Sequence, residues 1–75
     1  LSMIKFSLTI WVCSFLSAPS VCMPPIKSPV LYNSWYECSI AAHRESIKLY
    51  SKIGYKMMNE AKLATRYTCE VDKII

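Results

Sequence analysis

Glycine is almost missing from this chain. Gly54 is the only one in 75 residues. That excludes a glycine-rich loop able to cradle phosphate groups against backbone N–H donors. Histidine also occurs once, at His43. No C-x-x-C or H-x-x-x-H spacing is present, so the several convergent ligands that a metal needs are not legible. No paired-carboxylate site and no serine triad can be read either. The sequence therefore predicts a non-enzymatic protein with no cofactor and no metal. Acidic residues are scarce, 5 against 9 Lys and Arg, for a net charge of +4. No internal repeat or low-complexity run occurs.

What is present centres on residues 34–54, S-W-Y-E-C-S-I-A-A-H-R-E-S-I-K-L-Y-S-K-I-G. Ser34 and Glu37 have the S-x-x-E spacing of a capping box, with Asn33 a competing cap. Gly54 ends a long stretch free of Gly and Pro, where a left-handed residue closes a helix and Tyr55 can fold back on Tyr50. The predicted helix is Trp35–Ile53. At about 100° per residue, Glu37, Arg44, Glu45, Lys48, Ser51 and Lys52 share one side, with Ala41 an apolar intruder. Trp35, Cys38, Ala42, Leu49, Tyr50 and Ile53 lie opposite, flanked by Tyr36, Ile40 and Ile47. A face this wide suits a helix packed under other structure.

The N-terminus has the pattern of a secretory signal. Leu1 and Ser2 read as upstream read-through and Met3 as the initiator. Lys5 supplies positive charge, residues 6–16 an apolar run, and Ala18 and Ser20 small residues before a cut at Val21. The run is short for a spanning helix, which wants about 20 apolar residues. Expected domains are a signal peptide at 1–20, a Pro-rich linker at 21–29 and a small domain at 30–75. An uncleaved signal anchor is the alternative. Export places the cysteines where disulfides persist, and near 55 residues a core alone is marginal.

Pro24, Pro25 and Pro29 make residues 21–29 extended. Residues 30–32 are apolar and β-capable, at a sheet edge because of Pro29. After Gly54 the reading forks between an αα-hairpin and a short helical turn near 55–59 followed by a strand. Leu63, Thr65, Tyr67, Cys69 and Val71 alternate with polar residues, which favours a strand over about 62–71. Residues 73–75 read as a frayed tail. From Cys38 to Ile53 the helix covers about 22 Å, and an extended return from Lys62 to Cys69 covers a similar distance. Cys69 then arrives opposite Cys38 and can bridge it. The rival is Cys22 bonded to either one; otherwise Cys22 is free or pairs between chains. Cys13 leaves with the signal.

Candidate chemistry is thin. His43 lies about 140° from Cys38 on the wheel, so the two cannot form a nucleophile pair. His43 reads as structural. Arg44, Lys48 and Lys52 form an i, i+4, i+8 row that could meet lipid headgroups or another polyanion. Glu37 and Glu45 interrupt it, and a solvated face is the plainer account. The five aromatics Trp35, Tyr36, Tyr50, Tyr55 and Tyr67 read as core.

The pattern W-Y-E-C at 35–38, then His43-Arg44-Glu45-Ser46, Gly54-Tyr55, Asn59 and T-R-Y-T-C at 65–69 resembles a group of small exported proteins of marine bacteria and their viruses. The likeness spans about 30–69. It implies an exported address and a Cys38–Cys69 bridge, and it implies no activity. Cys22 lies outside it. The expectation is an α+β domain stapled by a disulfide, with helix 35–53 packed on a returning strand at about 62–71, after an N-terminal hydrophobic signal helix. Two functions fit: an exported binding module for an unknown protein, or a protein on an anionic or membrane surface, held through its basic helix face or N-terminal segment. Nucleic acid is not an expected partner.

Overall fold

A computed structural model describes residues 4–74. The elements in order are β1 (Ile4–Ser14), β2 (Val21–Cys22), β3 (Ile26–Tyr32), α1 (Trp35–Ile53), α2 (Tyr55–Ala61) and β4 (Leu63–Ile74). The α+β class and the helix-then-strand order are as expected; the αα-hairpin is not formed. Met3 and the residues before it lie outside the described residues.

The N-terminal apolar run is not a helix. It is β1, the middle strand of an antiparallel sheet. Its pattern alternates: Phe6, Leu8, Ile10 and Val12 face one way, Ser7, Thr9, Trp11 and Cys13 the other. β4 pairs along its whole length on one edge, from Ile4↔Ile74 to Ser14↔Leu63. β2 and β3 share the other edge. Leu8 and Cys13 are wholly buried, and Ile10 and Val12 nearly so. Lys5, expected as the charge of a signal, bonds through Nζ to Asn33 Oδ1. A cut before Val21 would remove the strand that every other strand touches.

The expected linker is also largely sheet. β3 begins at Ile26 and runs through Pro29. Between Ser7↔Leu31 and Thr9↔Lys27 the register shifts, so that Ser28, Pro29 and Val30 bulge opposite Leu8. Proline is tolerated there because a bulge on an edge strand asks for no ladder donor. The predicted frayed tail is strand as far as Ile74.

α1 has the predicted bounds. Ser34 Oγ accepts the Glu37 N–H at 3.0 Å. Glu37 Oε2 reaches back to the Asn33 N–H at 3.2 Å, one residue before the position an ideal box would use. Gly54, at φ 92°, donates its N–H to Tyr50 O. Its own carbonyl then accepts from Met58 N–H and starts α2. Tyr55 is 88% exposed and does not fold back on Tyr50. Lys62, left-handed at φ 51°, ends α2 and turns the chain into β4.

The core lies between α1 and one face of the sheet. Leu8, Ile10, Cys38, Ala42 and Cys69 form it, with Phe6, Tyr32, Ala41, Leu49 and Tyr67 packed around them. Ala41, placed by the wheel among polar residues, belongs to this side. Trp35, Tyr36 and Ile47 are exposed rather than core; Trp35 keeps an edge-on contact with Phe6 at 6.2 Å. Truncating the most enclosed side chain should cost most. Leu8→Ala should lower stability by about 2–5 kcal/mol, read as a shift in the urea midpoint, whereas Ile47→Ala should cost little.

Candidate interaction surfaces

Two disulfides fasten the elements. Cys38–Cys69 joins the first half of α1 to β4, with Cα atoms 6.2 Å apart. Cys69 pairs with Leu8 in the ladder, so the bridge sits over the core. The second bridge, Cys13–Cys22, corrects the expectation for Cys22, which is neither free nor bonded to Cys38 or Cys69, and it uses Cys13, expected to leave with a signal. Met23 N–H donates to Val12 O, which leaves Cys13↔Cys22 as the adjacent non-hydrogen-bonded pair. Facing side chains are closest at such positions. Assigning Cys13 to a removed segment hides this pairing. The alternation of residues 6–13 is the signal that reveals it.

A polar clasp completes the joint between α1 and β4. Ser46, 6% exposed, bonds Ala42 O at 2.8 Å and the Thr65 hydroxyl at 2.6 Å. Tyr50 Oη bonds the Thr65 hydroxyl at 3.0 Å and accepts the Thr65 N–H at 2.9 Å. The wheel assigns Ser46 to neither face, yet its hydroxyl is buried because every oxygen around it is matched. His43 is exposed and stands edge-on to Tyr67 at 5.5 Å. Cys38 is committed to its bridge, so no Cys–His nucleophile exists here. Among the described residues no group of three or more metal-ligating side chains converges.

The basic row runs along the solvent side of α1. Arg44 borders a hollow of about 450 Å³ with Tyr32, Tyr36, Glu37, Ile40 and Ala41. Lys48 pairs with Glu45 at 3.3 Å, with both side chains largely in water. Lys52 is exposed in the last turn. The middle member of the row is thus paired with a carboxylate of its own helix, and Arg44 borders the hollow.

Two other surfaces are more distinctive. The first is the hairpin tip between β1 and β2. Phe15, Leu16, Val21 and Met23 are 49–67% exposed there, and no charged residue occurs from Phe6 to Ile26. The tip is braced: Phe15 N–H donates to Lys62 O at 2.9 Å and Ser14 Oγ to Ala61 O at 2.7 Å. Lys62 stands at this end of the sheet, and Lys52 and Lys56 lie on the last turn of α1 and on α2, which lead to it; all three are exposed. The second surface is the sheet face that α1 leaves open. Trp11 and Arg66 are cross-strand partners on it, and with Cys22 and Thr68 they border a hollow of about 350 Å³.

No helix among the described residues is long and apolar enough to cross a membrane. No family model, no curated protein and no solved structure matches the chain.

The clasp is open to a direct test. Tyr50→Phe removes two bonds to Thr65 and should destabilise the protein by about 1–3 kcal/mol. Chemical denaturation under non-reducing conditions would show it, with Tyr55→Phe as the neutral control.

Proposed function

We propose that the protein is a small non-enzymatic module of an oxidising, exported compartment, and that it adsorbs to anionic membrane surfaces through its β1–β2 hairpin tip. Two disulfides in so small a domain support the compartment, because reducing compartments keep thiols open. The observation that carries the function is the uncharged tip with Phe15, Leu16, Val21 and Met23 turned to water. Water is a poor environment for four large apolar side chains on one hairpin, two on its connection and two on its second arm, and a headgroup–acyl boundary is a good one.

The energetics suit reversible attachment. Fully burying a large apolar side chain is worth about 1.5–3 kcal/mol, so each half-exposed side chain at the tip contributes roughly half of that. Each lysine close to an anionic surface adds about 1 kcal/mol. Lys62 stands at the correct end to do so, and Lys52 and Lys56 lie on the elements that lead to it. The Cys13–Cys22 bridge holds the tip closed, which cuts the ordering cost of inserting it. Arg44 and Lys48, farther up α1, take little part. The resemblance to small exported proteins of marine bacteria agrees with the compartment and adds no activity.

A protein-binding module is the second reading, favoured by the half-buried Trp11 beside Arg66 on the open sheet face. An aromatic–arginine pair is a common anchor in protein interfaces.

Co-sedimentation with vesicles separates the two. The bridged protein should bind vesicles rich in anionic phospholipid, bind neutral ones weakly, and lose affinity as salt rises. Phe15→Ser with Leu16→Ser should weaken binding about tenfold or more. Absence of binding to anionic vesicles, or binding untouched by the tip substitutions, would overturn the proposal.

A further inference from the structure

β4 is an edge strand with an open side. Phe15 N–H bonds Lys62 O, which fixes the phase of the ladder: the backbone groups of Ala64, Arg66, Thr68 and Glu70 turn toward β1. Those of Thr65, Tyr67, Cys69 and Val71 turn away from it. The Thr65 N–H is met by Tyr50 Oη. Among the described residues nothing pairs with the backbone of the other three. No proline interrupts this stretch, and the bulge of the strand comes just beyond it, at Asp72; the charges of Arg66 and Glu70 are what guards the edge.

The side chains along the stretch form a self-matching series. Arg66, Thr68 and Glu70 share the sheet face opposite α1, two residues apart each. Neither Arg66 nor Glu70 has an ion-pair partner among the described residues. The Thr68 hydroxyl lacks a hydrogen-bond partner and is enclosed within its own chain, so it reaches a second copy only if its side chain turns outward. We infer that this edge pairs with the same edge of a second copy of the chain, antiparallel, about a two-fold axis through Thr68.

That register pairs the free backbone groups of Tyr67 and Cys69 and matches the charges beside them; the Thr65 N–H stays with Tyr50. Tyr67 and Cys69 of one copy become hydrogen-bonded partners of Cys69 and Tyr67 of the other. Arg66 then faces Glu70 of the second copy, Glu70 faces its Arg66, and Thr68 faces its own equivalent. All three fall at non-hydrogen-bonded positions, where opposite Cα atoms approach to about 4.5 Å and cross-strand charge and threonine pairs are strongest. Moving the register by two residues sets Thr68 against Arg66 or Glu70 of the second copy; one direction loses both charge pairs, and the other exchanges Glu70 for Asp72, which lies in the bulge beyond Val71. A two-fold of this kind is isologous and closes, so it gives a dimer rather than a filament. Exposed Ile47, beside Tyr67 and Thr65 on the helix side of the edge, flanks the seam. The two hairpin tips point to opposite ends and stay free.

Sedimentation equilibrium on the oxidised full chain tests this. The 8.6 kDa protein should move toward twice that mass as concentration rises. Arg66→Glu and Glu70→Arg should each weaken the dimer roughly tenfold or more, since two attractive pairs become repulsive. The double exchange R66E/E70R should restore it. Circular dichroism of each variant confirms that the fold is kept, and both positions are exposed. A wild-type chain that stays monomeric to millimolar concentration, or a double exchange that fails to recover dimerisation lost in folded single variants, would overturn the inference.

Discussion

The structure depends on keeping β1 covered. Its residues from Phe6 to Cys13 carry no charge, and a strand of that kind is stable only with partners on both edges and a layer over one face. β4 covers one edge, β2 and β3 the other, and α1 the face that holds Leu8 and Ile10. Both disulfides end on this strand or next to it. Cys13 is part of it, and Cys69 is the ladder partner of Leu8. A chain of 75 residues has little core to spare. Two covalent staples, each typically worth about 2–4 kcal/mol, go where loss of contact would do most damage.

The same arrangement decides what is left for recognition. One sheet face is used up by α1, so Trp11 and Arg66 remain on the other. Because β1 pairs with β4 from end to end, β4 has its outer edge open. The β1–β2 connection passes beyond the end of the sheet and carries its apolar residues into water. The open face and the edge share Arg66 and Thr68, whereas the tip shares no residue with the edge, on a molecule 49 Å long and 24 Å wide. Attachment at the tip and pairing at the edge therefore do not compete for residues.

Much of α1 and β4 is legible in the sequence because local chemistry and packing agree there. Ser34, Glu37 and Gly54 mark the ends of α1 by capping groups that act within a few residues. The alternation from Leu63 to Val71 marks β4 because one side meets α1 and the other does not. Cys38 and Cys69 follow from the lengths of the two elements. β1 misleads for a physical reason. An uncharged run of about eleven largely apolar residues after a lysine satisfies the requirements of an export signal and of a buried central strand equally well. Only the period-two placement of Ser7 and Thr9 between Phe6, Leu8 and Ile10 separates them. With β1 set aside, Cys13 has no role and the β1–β2 tip cannot be seen. The exposure of Tyr36 and Tyr55 lies beyond the sequence as well, since a small sheet offers too little area to cover every aromatic residue.

Peptide mapping of the natively folded protein without reduction tests the central position of β1 most directly. The account predicts a peptide containing Cys13 linked to one containing Cys22, alongside the Cys38–Cys69 pair, with residues 4–14 retained in the folded chain. A folded product that begins at Val21, with Cys22 reactive toward thiol reagents, would contradict it.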